Sequence, residues 1–171
     1  MLAVLRGPFA MAPSTWVSMC LLAGVIGSTL TEGAAVRSSC PPGWFFYTSH
    51  CYGFTQHALP WSDAEFECHS YGSGAHLASI LDDAEARIVG SHISAYQKDD
   101  GVWVGLHDPQ KNGRWKWNDG ALYSYKAWKS GAPQAKKENQ FCVVLSSASG
   151  FKKWKIARCG ASKTFLCKYK P

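Results

Sequence analysis

The segment Phe151–Cys159, with the sequence FKKWKIARC, places four cations around one tryptophan immediately before a cysteine. Ammonium and guanidinium groups suit sulfate and carboxylate groups, and an arginine can bind such a group in a bidentate way. Three interpretations are open. The segment is a solvated loop, a surface that binds an anion, or a position where metal ligands have been replaced.

Basic residues are concentrated in the C-terminal third of the chain. Of the 18 lysines and arginines, fourteen lie in residues 111–171, where the acidic residues are Asp119 and Glu138. Residues 28–110 contain three basic and ten acidic residues. Such an asymmetry favours an anionic partner for the C-terminal part, although a lysine-rich surface also confers solubility.

Catalytic patterns are absent from the sequence. The six histidines are His50, His57, His69, His76, His92 and His107, and their spacing matches no metal-binding motif. No Gly-x-Ser-x-Gly elbow for a serine nucleophile occurs. We therefore expect neither an enzyme nor a protein that holds a metal ion or another cofactor.

An apolar stretch at Trp16–Leu30, preceded by Arg6, has the form of a secretory signal peptide. It is too short, and too often interrupted by glycine and serine, for a membrane span. The sequence therefore predicts a signal peptide at residues 1–27, a leader at residues 28–39 and a secreted domain at residues 40–171.

Removal of the signal peptide takes away Cys20 and leaves six cysteines: Cys40, Cys51, Cys68, Cys142, Cys159 and Cys167. An even number fits disulfides in an oxidising compartment. Zinc is the competing explanation, but the sequence has no Cys-x-x-Cys and no paired Cys/His spacing. Six cysteines allow 15 pairings, and spacing alone does not choose among them.

Helices and strands are both predicted around these residues. Two short strands, at residues 44–47 and 51–54, precede a helix that begins with a capping box at Ser62–Glu65. A second box, at Asp82–Glu85, starts a longer helix. Further strand patterns lie at residues 76–80, 102–106, 141–145 and 164–169, and a long irregular stretch rich in Gly, Trp, Asn and Lys precedes the third of these.

Several motifs occur in order along residues 40–168, among them Trp103-Val104-Gly105-Leu106 and Trp115-Lys116-Trp117-x-Asp119-Gly120. They resemble the C-type lectin-like domain. Cys-Pro-Pro-Gly-Trp-Phe, Gly-Leu-His-Asp-Pro-Gln-Lys and the terminal Phe-Leu-Cys-Lys-Tyr-Lys-Pro resemble the regenerating islet-derived (Reg) proteins, in particular their type IV branch. The resemblance implies an α+β C-type lectin-like fold with two helices, short antiparallel sheets and a long irregular loop region. It also implies three disulfides, Cys40–Cys51, Cys68–Cys167 and Cys142–Cys159.

The sugar site of that family is built on a calcium ion. Its ligands come from a Glu-Pro-Asn or Gln-Pro-Asp triplet, an acid before the fourth cysteine, and a Trp-Asn-Asp motif. Here these positions hold Ala132-Pro133-Gln134, Gln140 and Trp154-Lys155-Ile156. Calcium needs about six to eight oxygen ligands and is repelled by an ammonium group, so we expect no calcium site. Trp117-Asn118-Asp119 spells the ligand motif but lies in the structural signature.

The resemblance to the type IV branch implies binding of mannose-type sugars and heparin-like polysaccharides without calcium. The candidate contact residues are Lys136, Lys137, Lys152, Lys153, Lys155 and Arg158. Trp128 and Trp154 are expected in the core rather than stacked on sugar rings. The alternative is a growth-factor-like or antimicrobial protein recognised by a cell-surface receptor or a bacterial surface. Nucleic acid is not an expected partner, and we expect a monomer without a membrane span.

Overall fold

The computed structural model describes residues 40–98, 100–129, 133 and 140–171. The predicted signal peptide and leader, together with Lys136 and Lys137, lie outside these residues. The described part contains two α-helices, α1 (Trp61–His69) and α2 (Asp83–Tyr96), and a 3-10 helix at Ser147–Ser149. None of these helices is long and apolar enough to cross a membrane.

The described residues also form eight strands. They are β1 (Phe45–Tyr47), β2 (His50–Leu59), β3 (His76–Leu77), β4 (Val102–His107), β5 (Lys116–Trp117), β6 (Cys142–Leu145), β7 (Trp154–Ala157) and β8 (Lys163–Tyr169). All eight join in one sheet with the order β1-β2-β8-β4-β6-β7, and β3 pairs with β8 while β5 pairs with β4. Strand neighbours are antiparallel, except that β4 and β8 run parallel. The predicted α+β architecture with two helices is therefore confirmed, with the strands joined in a single sheet.

The sheet separates two cores, one under each helix. Successive side chains of a strand point to opposite faces, and β4 follows this rule. Val104 packs in the cluster that contains Val89 of α2, whereas Trp103 packs in the cluster that contains Ala64 and Cys68 of α1. We refer to the two sides of the sheet as the α2 face and the α1 face.

The two helices begin differently. At the start of α2, Asp82 accepts a hydrogen bond from the backbone N–H of Glu85 (2.7 Å), as the second capping box predicts. At the start of α1 no side chain caps the helix, so the capping box predicted at Ser62–Glu65 is wrong. Glu65 instead accepts a hydrogen bond from the backbone N–H of Leu77 (2.8 Å), which links α1 to β3.

The disulfides are Cys40–Cys51, Cys68–Cys167 and Cys142–Cys159, as the resemblance implies. Cys68–Cys167 joins the last turn of α1 to β8 and closes a loop of 99 residues. Every cysteine of the described residues is therefore paired.

Candidate functional site

The basic segment forms the second arm of a hairpin made by β6 and β7. Cys142 lies opposite Ala157 in the antiparallel register, and the disulfide from Cys142 to Cys159 closes the open end of the hairpin. We refer to residues 142–159 as the basic hairpin. Because both ends are tied to each other, Lys155 on β7 and Arg158 just after it have a fixed backbone.

The turn of the basic hairpin is held by its own hydrogen bonds. The carbonyl of Ser146 accepts from the backbone N–H groups of Ser149 and Phe151, each at 3.0 Å. Phe151 has a φ of 60°, a left-handed conformation that is unfavourable for an aromatic residue. Its side chain is buried in the core on the α2 face, which offsets that strain. The Ser149 hydroxyl accepts from the backbone N–H of Lys153 (2.9 Å), so the turn is fixed up to the start of β7.

Because side chains alternate along a strand, the cations of the basic hairpin lie on both faces of the sheet. The Trp154 side chain is buried in the core on the α2 face, and Lys155, the next residue, pairs with Val144, which belongs to the core on the α1 face. The Lys152 side chain packs beside Gly90 of α2. Lys152 and Lys155 therefore lie on opposite sides of the sheet and do not form one surface.

A concavity of about 390 Å³ lies on the α1 face beside β7, and we refer to it as the basic concavity. Its polar lining consists of Lys155, Arg158, Lys163, Asp100, Gln140, Ser146 and Ser147. Three cations thus share the concavity with one acid. Gln140, which stands where the resemblance predicts an acidic calcium ligand, borders the same space as Lys155.

The acid of the basic concavity is already neutralised by one of its cations. Lys163 Nζ lies 2.5 Å from Asp100 Oδ1, and the backbone N–H of Gly101 donates to the same carboxylate at 2.7 Å. Burial by itself raises the pKa of Asp100, but the hydrogen bonds from Lys163 and Gly101 outweigh it and hold that pKa below its ordinary value. Lys155 and Arg158 take part in none of the salt bridges among the described residues. The concavity therefore carries an excess of positive charge.

A second, more apolar cleft of about 640 Å³ adjoins the basic concavity, and Arg158 lines both. Trp61 and His107 pack against each other in it, with ring centroids 4.7 Å apart. Burial lowers the pKa of His107, so its ring is neutral at neutral pH. Phe141 also lines the cleft, and Lys111 Nζ lies 5.3 Å from its ring centroid. The cleft thus combines half-exposed aromatic rings with the cations Lys111 and Arg158.

Trp154 of β7 and Trp128 of the irregular stretch pack in or against the core, as predicted. Trp154 is 1% exposed, and its ring lies about 5.5 Å from those of Trp117, Trp128 and Tyr125. Trp128 is half-buried, and its Nε1 donates to the Tyr123 hydroxyl at 2.7 Å. These rings hold residues 118–129, which contain no helix and none of the eight strands, against the core.

The structure brings only some of the predicted contact residues together. Lys155 and Arg158 share the basic concavity, Lys153 is exposed at the end of the hairpin, and Lys152 lies on the other face. Lys163 and Asp100 were missed by sequence reasoning, because they reach the concavity from β8 and from the segment before β4. The parallel pairing of those two strands brings them together, and no local sequence signal reports it.

Comparisons with known proteins agree with this architecture. The family model described as Lectin C-type domain matches residues 57–169. Human regenerating islet-derived protein 4 is 45% identical over 148 residues, which cover 86% of this chain and 89% of the human protein. The crystal structure of human lithostathine has a TM-score of 0.74 and 42% identity, covering 80% of this chain and 94% of that one. A calcium-independent type II antifreeze protein has a TM-score of 0.66 and 27% identity, covering 77% and 94%. The chain therefore belongs to the C-type lectin family and, within it, to the regenerating islet-derived proteins.

Proposed function

We propose that this protein is a secreted, monomeric lectin-like protein that binds mannose-type glycans and heparin-like polysaccharides without calcium. The observation that supports this best is the basic concavity, where Lys155 and Arg158 provide excess positive charge. Lys155 and Gln140, which line it, stand where the resemblance to the family implies calcium ligands. Three disulfides suit an oxidising compartment, which supports secretion together with the predicted signal peptide. It is a binding protein and not an enzyme.

The chemistry of the basic concavity is unfavourable for calcium. Calcium selects carboxylate and carbonyl oxygens, whereas this space offers the Gln140 amide, two hydroxyls and a carboxylate already bonded to Lys163. The Lys155 ammonium group adds direct repulsion of a divalent cation. The antifreeze protein described above shows that a protein with this fold can be calcium-independent. Lys155 thus supplies the positive charge that a calcium ion supplies elsewhere in the family.

Calcium is expected to leave both stability and sugar binding unchanged. The thermal midpoint in millimolar calcium should equal the midpoint in chelator at matched ionic strength, because a ligand that binds the folded state raises that midpoint. A glycan and glycosaminoglycan array, read first with calcium and then with chelator, should give the same set of bound sugars. A midpoint that rises with calcium and returns with chelator, or a sugar signal lost on chelation, would contradict the calcium-independent proposal.

The two adjoining cavities support recognition of a sulfated polysaccharide. A sulfate or carboxylate fits the basic concavity, where Lys155 offers a point charge and Arg158 a bidentate donor. The neighbouring apolar cleft offers the rings of Trp61 and Phe141 to a less charged sugar unit. Because Arg158 lines both spaces, we infer that the chain of sugars passes over Arg158. Lys136 and Lys137 remain proposed contacts outside the described residues.

Heparin binding provides the sharpest test of these roles. The double variant Lys155→Ser/Arg158→Ser is expected to elute from heparin at lower salt than the unchanged protein. Loss of two charge contacts should reduce the slope of log affinity against log salt by roughly 1.5. The variant Lys152→Ser/Lys153→Ser should have a smaller effect, because Lys152 lies on the other face.

The matched control is Lys98→Ser/Arg114→Ser. Both residues are exposed and lie outside the basic hairpin, and the control removes the same number of charges of the same two types. At physiological salt the screening length is about 8 Å, so only cations gathered close together act on one ligand. If Lys155→Ser/Arg158→Ser and Lys98→Ser/Arg114→Ser lower the eluting salt concentration equally, net charge alone governs heparin binding.

A further inference from the structure

Three metal-ligating side chains meet between α1 and β3, away from the basic hairpin. His69 Nε2 lies 2.8 Å from Glu65 Oε1, and His76 Nδ1 lies 2.6 Å from the same oxygen. The two ring nitrogens are 3.1 Å apart, and the ring planes are nearly perpendicular, at 89°. Two imidazoles and one carboxylate therefore point at one space, although the spacing of the histidines in the sequence matches no metal-binding motif.

The backbone around this cluster is fixed before any ligand binds. Glu65 and His69 lie one helical turn apart on α1, and His76 begins β3. The disulfide from Cys68 to Cys167 anchors the helix turn beside His69, and Cys167 pairs with the residue after His76 in the sheet. A metal ion would therefore find its ligands already in place, with little loss of chain entropy on binding.

The carboxylate is also oriented. Glu65 Oε2 accepts the backbone N–H of Leu77 at 2.8 Å, which turns Oε1 toward the two histidines. Outer hydrogen bonds of this kind hold metal-ligating groups in position in known metal sites. The Glu65 side chain is 11% exposed, whereas those of His76 and His69 are 27% and 51% exposed, so the cluster has a closed floor and an open mouth.

While the Glu65 carboxylate is ionised, protons cannot satisfy all three contacts at once. If each ring nitrogen donates to Glu65 Oε1, the two nitrogens present two N–H donors to each other across 3.1 Å. If one nitrogen is instead an acceptor, its contact with the carboxylate oxygen sets two acceptors against each other. A metal ion removes the conflict, because it accepts an electron pair from each of the three atoms.

We propose that Glu65, His69 and His76 bind a zinc ion, with a fourth position open to solvent. Zinc takes imidazole nitrogen and carboxylate oxygen at about 2.0–2.2 Å, and sites with three protein ligands keep an open position. In a tetrahedron of that size the ligand atoms are about 3.3–3.6 Å apart, so the contacts of 2.6, 2.8 and 3.1 Å have to widen, the shortest by at least about 0.7 Å. Calcium and magnesium do not suit a site with two nitrogen ligands. The bound ion would connect α1 to β3.

Calorimetric titration of zinc chloride into the oxidised protein, without a polyhistidine tag, tests this site. The unchanged protein is expected to bind one zinc ion per chain, and His69→Gln and His76→Gln should each weaken binding by at least about ten-fold. Glutamine retains hydrogen-bonding capacity toward Glu65, which favours a folded variant. Cobalt provides a second readout, since tetrahedral coordination gives intense visible absorption that either variant should abolish.

The matched control is His57→Gln. His57 is an exposed histidine whose Nε2 lies 3.7 Å from Glu67, so it also stands beside a carboxylate but has no second imidazole in a cluster. This variant should bind zinc as the unchanged protein does. Absence of saturable zinc binding, or an equal loss in all three variants, would overturn the proposal. None of the three ligands lines the basic concavity or the apolar cleft, so the zinc and heparin results are independent.

Discussion

Replacement of both Cys68 and Cys167 by alanine is expected to lower the free energy of unfolding by about 4.7 kcal/mol. This disulfide closes a loop of 99 residues, and its loss releases the corresponding chain entropy in the unfolded state. Both cysteines are fully buried with Trp103 and Phe165, so alanine avoids the buried hydroxyl that serine would introduce. Urea denaturation of the oxidised variant measures the loss, and its m value should rise because the unfolded chain is less compact.

The matched control is Cys40→Ala/Cys51→Ala. That disulfide closes only 11 residues, so the same relation predicts a loss of about 2.8 kcal/mol. The two double variants remove the same atoms, and the loops that the disulfides close differ in length, 99 residues against 11. If the control loses as much stability as the first variant or more, loop length does not determine how these disulfides stabilise the domain.

Local sequence patterns predicted the fold where local contacts decide it. Asp82-Asp83-Ala84-Glu85 and Ser62-Asp63-Ala64-Glu65 look alike, and both do start near a helix N-terminus. Only the first forms the predicted cap. Glu65 instead accepts from the backbone N–H of Leu77, a residue of β3 whose position is set by the pairing of β3 with β8. A capping pattern therefore predicts the helix, while tertiary contacts decide the use of the side chain.

At the candidate sites, too, the sequence shows which residues are present, whereas tertiary contacts decide which of them come together. The cations around Trp154 were evident in the sequence, but the start of β7 decides that Lys152 and Lys155 lie on opposite faces. The spacing of Glu65 and His69 is one helical turn and was visible as such. The pair becomes a candidate metal site only together with His76, which reaches the same space through the pairing of β3 with β8. Residues that converge through sheet topology leave no periodic signal in the sequence.

Substitution of Lys168 by methionine is expected to lower the free energy of unfolding by about 3–5 kcal/mol, because it leaves a buried carboxylate without its cation. Lys168 Nζ lies 2.7 Å from Glu85 Oε1 and also donates to the Ser79 carbonyl at 3.1 Å. Lys168 and Glu85 are 5% and 4% exposed. Glu85 also accepts from the Tyr52 hydroxyl, which remains protonated since burial, and then the Glu85 charge, raise the pKa of Tyr52.

The exposed pair of Arg87 and Asp83 on the same helix provides the control, and Arg87→Met should change the free energy of unfolding by no more than about 0.5 kcal/mol. The double variant Lys168→Met/Glu85→Gln should recover part of the lost stability, because a neutral amide needs no cation. In the unchanged protein the backbone N–H of Leu81 donates to Glu85 Oε2 at 2.6 Å, and the glutamine carbonyl can still accept this hydrogen bond. Chemical denaturation of the unchanged protein, of Lys168→Met, of Glu85→Gln and of the double variant gives the coupling energy between Lys168 and Glu85. If the single losses simply add, Lys168 stabilises the domain through the packing of its aliphatic stem and not through the charge of Glu85.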